Sequence, residues 1–164
     1  MADELIYFAY GHNSNTKEFK KRIPDAIKMG TASLNGWKLE LKHFANIFRD
    51  SNSVVDGVIY KILPKDFKAL DRDEAYKVHY NRIKVTVNFD GEQLQAITYI
   101  MTTRYEDKRL PNKKELPTKK YIRWIANGYK DNGISIKQLI DALACRIKEA
   151  YGWKNGQYQN IFVL

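Results

Sequence analysis

Residues 82–101, "RIKVTVNFDGEQLQAITYIM", set Ile83, Val85, Val87 and Phe89 at every second position, reach Asp90 and Gly91, and return through a second apolar segment. A repeat of two is that of a half-buried strand, and Asp-Gly is a favoured turn between antiparallel strands. The segment predicts a β-hairpin, and any fold for this chain must supply cover for its apolar face.

Other segments supply it. Leu5 to Tyr10 is a continuous apolar run ended by Gly11, the pattern of a strand buried on both faces. Asn13, Ser14, Asn15 and Thr16 offer helix caps before "KEFKKRIP", a short helix that Pro24 stops. "GWKLELKHF" alternates Trp37, Leu39 and Leu41 with charged residues, and "SVVDGVIYKIL" reads as another strand. Pro64 suits the first turn of a helix, "PKDFKALDRDEA", in which Phe67, Leu70 and Glu74 share one face. Arg104 to Thr118 reads as a loop, and Lys119 to about Asn127 as a helix with Gly128 near its C-terminus. Ser135 and Gln138 predict a capping box for an amphipathic helix running to Gly152, and "YQNIFVL" a last strand or docked terminus. Strands dominate the first two thirds and helices the end, without βαβ alternation, which predicts an α+β fold in one domain over residues 1–164.

Composition narrows the function classes. The hydrophobic fraction of 44% and aromatic fraction of 13% are those of a chain that folds. A lone Cys145 closes no intramolecular disulfide, the N-terminus lacks the basic start of a signal peptide, and no run approaches the roughly 20 apolar residues of a membrane span. These features predict a cytoplasmic protein without a membrane partner. The net charge of +9 is uneven, with nine Lys or Arg against three Asp or Glu between Arg104 and Lys130. Such a segment suits nucleic-acid phosphates, an acidic partner or an anionic small molecule, or is a solvated loop. Tyr105, Tyr121, Trp124 and Tyr129 interleave with it as candidate stacking groups.

His12, His43 and His79 are scattered and form no zinc motif, and there is no P-loop or GxGxxG. Cys145 falls off the apolar face of its helix, with nothing nearby to lower its pKa. Glu74 stands apart, because its stripe carries a carboxylate toward the core, where desolvation raises its pKa into the range useful for general acid/base work. Capping, pairing with a cation such as Arg82, or escape to solvent are the plainer alternatives.

"YFAYGHN" resembles the "YGSN" signature of the gamma-glutamylcyclotransferase-like family, and "LDRDEA" with the following "YNR" resembles its "LDxxEG...YxR" segment. "RIPDAIKMGTASLNGWKLEL" and "VVDGVIYKI" resemble the connecting pattern, and the tyrosine of "LPTKKYIRWIANGYKDNGI" a late family tyrosine, so the likeness runs from about Leu5 to Ile136. The resemblance implies a small mixed sheet curled into a barrel, flanked by helices, with a cavity at its mouth. It implies release of 5-oxoproline from a small-molecule gamma-glutamyl amine or amide, an acyltransferase or lyase reaction that needs no metal or organic cofactor. It places the acid/base group on Glu74, a substrate-binding turn on Tyr10, Gly11, His12 and Asn13, and pocket tyrosines on Tyr80 and Tyr121. Arg82 matches the basic residue after Tyr80 and is assigned a structural role.

Two residues depart from that pattern. His12 replaces a serine by a bulky, titratable ring, and Ala75 follows Glu74 where glycine is usual, so that a positive φ there is strained. A non-catalytic member of the fold, and a basic module for nucleic acid or acidic proteins using residues 104–130, are the competing readings.

Overall fold

The computed structural model describes residues 3–103 and 116–152. The predicted hairpin is β4 (Tyr80–Phe89) and β5 (Glu92–Met101), turning through Asp90 (φ 49°) and Gly91 (φ 80°). Left-handed values at both central residues make a turn whose twist matches that of the strands. The remaining strands are β1 (Leu5–Ala9), β2 (Ile27–Leu41) and β3 (Ala45–Ile62).

They close a five-stranded barrel in the order β1-β3-β2-β4-β5, as the resemblance implies. Four of the five pairings are antiparallel, and the barrel closes where Tyr7 of β1 meets Ile97 of β5 in parallel. β2 and β3 are much longer than the alternating segments predict. Their outer halves, rich in polar residues such as Asn46, Asp50, Asn52 and Ser53, carry no clean period of two, yet Trp37 still pairs with Arg49 and Leu41 with Ala45. Trp37, Leu39 and Leu41 are buried, as their alternation predicts.

Among the described residues four α-helices flank the barrel: α1 (Thr16–Arg22), α2 (Phe67–Asp73), α3 (Lys119–Asp131) and α4 (Lys137–Tyr151). A 3-10 turn, His12–Ser14, leads into α1, and another, Pro64–Asp66, into α2. The Asn15 side chain caps α1 by accepting from Glu18 N–H at 3.3 Å. Among the described residues no helix is long and apolar enough to cross a membrane. The tail "YQNIFVL" and residues 104–115 of the predicted loop lie outside the described residues.

Two expectations near the third helix need correction. Gly128 does not end it; the helix continues to Asp131 and stops at Asn132 and Gly133 (φ 68°). There Ile134 N–H bonds Tyr129 C=O at 2.9 Å and Gly133 N–H bonds Lys130 C=O at 3.3 Å, the paired pattern of a Schellman cap. Gly128 is glycine for contact, since a Cβ there would sit 2.6 Å from Asn15 N and 2.8 Å from its Cα. Nor do Ser135 and Gln138 form a capping box. Ser135 Oγ accepts from Lys137 N–H, while the Gln138 carboxamide reaches β3, accepting from Asp56 N–H at 2.9 Å and donating to Asp56 C=O at 2.8 Å. The half-buried peptide groups of Asp56, beyond the end of the β1 pairing, outcompete the local cap because they need partners as well.

Gly128→Ala sets helix propensity, worth about 1 kcal/mol in favour of alanine, against a clash with backbone that cannot swing aside, worth up to about 3 kcal/mol. The clash should win, and urea unfolding should show the variant less stable by about 1–2 kcal/mol; an unchanged or higher midpoint would refute the close packing of α3 on the turn before α1.

Candidate active site

β1 ends where β3 and β4 begin, and at this end of the barrel the residues after Ala9 fold into a tight turn. Ser14 N–H bonds Gly11 C=O at 3.0 Å and Asn15 N–H bonds His12 C=O at 3.1 Å. Side chains from the framework hold its other carbonyls: Tyr129 donates to Tyr10 C=O at 2.5 Å, Tyr60 to Asn13 C=O at 3.0 Å, and Asn132 to Ser14 C=O at 3.0 Å. The rings of Tyr7, Phe19 and Tyr60 pack behind it, with Phe19 and Tyr60 centroids 4.3 Å apart. The turn is therefore a rigid object set on the barrel by groups from β3, α3 and the residue after α3.

Glu74 arrives from the opposite side. It is the C-cap of α2, with φ −86° and ψ 0°, and the chain then reverses through Ala75 at φ 45°. Ala75 N–H bonds Arg72 C=O at 3.2 Å and Tyr76 N–H bonds Asp71 C=O at 2.8 Å, a Schellman cap with alanine at the left-handed position that glycine usually takes. The conformation that the sequence marks as strained is thus adopted, at a cost of about 1–2 kcal/mol. Arg82 holds the same helix end. Its Nε forms an ion pair with Asp71 Oδ1 at 3.3 Å without a hydrogen bond, and its guanidinium stacks over Phe67 and Tyr76 at 4.7 and 4.6 Å. Arg82 therefore pairs with Asp71 and is not the partner of Glu74.

The Glu74 side chain is buried, as the shared face with Phe67 and Leu70 suggests. Its Oε1 accepts from Asn13 Nδ2 at 3.2 Å, and the same amide donates to the Tyr7 hydroxyl at 3.0 Å. On the other side of that amide, Asn13 Oδ1 accepts a short hydrogen bond from Arg22 Nη2. Arg22 Nη1 pairs with Asp73 Oδ2 at 2.8 Å and lies 3.5 Å from His12 Nε2.

Two cavities adjoin Glu74. The inner, of about 20 Å³, is lined by Glu74, the turn residues Tyr10 to Asn13, and Tyr7, Ala45, Tyr80, Tyr99 and Tyr121. The outer, of about 340 Å³, shares His12, Glu74, Tyr80 and Tyr121 and adds Arg22, Phe44, Asp73, His79 and Trp124. All seven residues assigned from the resemblance therefore border one hollow. Tyr80 donates its hydroxyl to Ala45 C=O at 2.8 Å, and the Tyr121 hydroxyl accepts from Ala45 N–H at 3.0 Å, so both also brace the start of β3. Tyr10 likewise donates to Tyr99 C=O at 2.6 Å. Tyr7, Tyr99, Arg22 and Phe44 are lining residues that the sequence does not single out, since a tyrosine in a buried strand and an arginine ending a basic helix carry no local mark.

The hollow favours neutral groups. Burial raises the Glu74 carboxyl from its ordinary 4.5 to about 7, with the nearby Arg22 charge opposing and Asp73 assisting. Burial, then the Arg22 charge, lowers His12 to about 4, so its ring is neutral at neutral pH. Burial and then the proximity of Glu74 push the Tyr7 and Tyr10 hydroxyls well up, so both stay protonated. His12 packs against Trp124 and Tyr121, with centroids 5.8 and 6.0 Å away, and takes up room at the outer cavity wall. Among the described residues no group of three or more His, Cys, Asp or Glu could hold a metal ion.

Of the interleaved aromatics in the basic segment, Tyr129 is fully buried and Tyr121 and Trp124 face the outer cavity, while Tyr105 lies outside the described residues. Cys145 is exposed on α4.

Residues 7–123 match the family described as "Gamma-glutamyl cyclotransferase, AIG2-like". The chain belongs to this family. A gamma-glutamylcyclotransferase of Bos taurus is 30% identical over 149 residues, covering 82% of this chain and 75% of that protein. The Homo sapiens gamma-glutamylcyclotransferase is 28% identical over 149 residues, with the same 82% and 75% coverage. A solved structure titled "Gamma-glutamyl cyclotransferase" superposes with a TM-score of 0.71 at 25% identity, covering 85% of this chain and 86% of that one.

Because folding raises the Glu74 pKa from 4.5 to about 7, the native state holds this proton more tightly than the unfolded chain. The stabilisation is complete below about 4.5 and is lost as pH rises through about 7. Glu74→Gln, neutral at every pH, should therefore gain stability relative to the parent across that window, by on the order of 3 kcal/mol. Urea unfolding at a series of pH values reads the difference, and a difference independent of pH would show a carboxyl not desolvated as described.

Proposed function

We propose that this protein is a cofactor-independent cyclotransferase that releases 5-oxoproline from a small gamma-glutamyl amine or amide. The observation that carries the reading is the buried Glu74 carboxyl, with a pKa of about 7, on the wall shared by the two cavities and hydrogen-bonded to the turn after β1. The family membership and the cyclotransferase relatives support it.

A gamma-glutamyl substrate carries its own nucleophile. Glu74 as carboxylate takes a proton from the substrate's alpha-ammonium; the freed amine attacks the side-chain carbonyl carbon and closes a five-membered ring. The bond to the departing nitrogen then breaks as Glu74 returns its proton to that nitrogen, and the ring nitrogen, cationic after its attack, gives up its second proton to the departing amine or to water, leaving the lactam N–H. One group gives and takes the same proton, so a pKa near neutrality serves both halves. The ring closure is intramolecular, and holding the substrate bent contributes a further several kcal/mol.

The inner cavity has room for only one or two water-sized groups. It suits a small polar end of the gamma-glutamyl moiety, met by the turn Tyr10, Gly11, His12 and Asn13, whose first N–H groups have no partner within the turn itself. The outer cavity suits the departing amine, walled by Tyr80, Tyr121 and Trp124. The aromatic rings exclude water, which strengthens each electrostatic contact at the reacting centre. His12 stands between the two spaces as a neutral wall. Residues 1–164 act as one domain in this reading, and the exposed single thiol fits a reducing, cytoplasmic setting.

Incubation with a panel of gamma-glutamyl amines and peptides should release 5-oxoproline, and Glu74→Gln should lower the rate by about 10²–10⁴-fold while the protein stays folded. No product across a broad panel, or an unchanged rate in the variant, would contradict the reading.

A further inference from the structure

We propose that Arg22 is a positioning residue that locks the Asn13 amide so that its NH₂ faces Glu74 in both protonation states of the carboxyl. The inference rests on the role given to Glu74 above.

Arg22 is the last residue of α1 and touches three parts of the site: Asp73 at the end of α2, Asn13 Oδ1, and the His12 ring. Guanidinium nitrogens donate and never accept, so only the carbonyl end of the Asn13 amide can face Arg22. The NH₂ end is thereby turned to Tyr7 and Glu74 Oε1. An ionised Glu74 would select that orientation unaided, because it only accepts. A protonated Glu74 could instead donate to the amide oxygen and turn it over, and a general acid/base spends part of each cycle protonated. Arg22 removes that alternative.

A lysine could retain the charge and the Asp73 pair but not the fork that grips Asn13 and Asp73 together. Charge and geometry are therefore separable. Glu74 is faced by Tyr7 from β1, Tyr10 and His12 from the turn, Arg22 from α1, Asp73 from α2, His79 just before β4, Tyr80 from β4, Tyr99 from β5 and Tyr121 from α3. Arg22 opposes the rise of the Glu74 pKa that burial causes.

The test compares the parent protein, Arg22→Lys and Arg22→Met in two measurements. Infrared or carbon NMR titration of the Glu74 carboxyl, assigned with Glu74→Gln, needs no substrate: the midpoint should rise in Arg22→Met and stay close to that of the parent in Arg22→Lys. Hydrolysis-independent release of nitroaniline from gamma-glutamyl nitroanilide reads the rate: kcat should fall about tenfold or more in both variants, with KM changing less. Full activity in Arg22→Lys would reduce Arg22 to a charge and overturn the positioning role, as would an unmoved midpoint in a folded Arg22→Met. If Arg22→Met does not fold, Arg22→Lys decides alone, since it keeps the ion pair with Asp73. A parent protein inactive on the nitroanilide counts against the proposed reaction; the amide orientation is then decided by NMR, since the Asn13 NH₂ protons should stay close to the Tyr7 ring on both sides of the Glu74 midpoint in the parent but only above it in Arg22→Lys, and the same behaviour in both proteins would overturn the proposal.

Discussion

The hydrogen bond between Asn13 and Glu74 joins two chain segments 61 residues apart, and it is where the turn after β1 meets the end of α2. Each partner is over-determined by its own surroundings. The turn is tied through three carbonyls to Tyr129, Tyr60 and Asn132, and the helix end is fixed by its cap and by Arg82 against Asp71. A bond made in a place screened from water is worth more than one at the surface, and a lost partner there costs about 1–3 kcal/mol. Both anchors therefore serve to hold one acidic group against one amide at the mouth of the barrel.

That geometry sets the electrostatics. Burial raises Glu74 and lowers His12, while Arg22 and Asp73 largely answer one another at the rim. At neutral pH the inner cavity thus presents the Glu74 carboxyl poised between its two forms, the neutral His12 imidazole, and Tyr7 and Tyr10 with their protons kept. Where the resemblance implies serine, His12 places a neutral ring against Tyr121 and Trp124 and adds no charge to the pocket. Replacement of glycine by Ala75 leaves the chain reversal in place, so the strain of the left-handed alanine falls on stability rather than on the position of Glu74.

Much of this was legible from residues alone where a local period or a turn residue carried the signal. The β4–β5 hairpin followed from alternation and Asp-Gly, and the inward aim of Glu74 from its place on a stripe with Phe67 and Leu70. The outer halves of β2 and β3 were hidden because their pairing is set by one another, not by burial of alternate residues. Gly128 and Gln138 misled for a related reason: each resembles a local helix signal but is used for a long-range contact, with Asn15 in one case and Asp56 in the other. Arg22 could not be told from any lysine or arginine of "KEFKKR", because its partners Asn13 and Asp73 meet only in the folded chain. The assembly of the site residues came from family resemblance, and the hollow they border is a property of the closed barrel.

The account reduces to the claim that Glu74 meets the substrate's alpha-amine in this hollow. A crystal structure of the protein with a gamma-glutamyl analogue whose scissile nitrogen is replaced by a methylene group tests it most directly. The analogue's amine should lie within about 2.6–3.2 Å of a Glu74 carboxyl oxygen, with its glutamyl end against the turn at Tyr10 to Asn13. An analogue bound with its amine directed away from Glu74, or seated at a different part of the barrel, would contradict the claim.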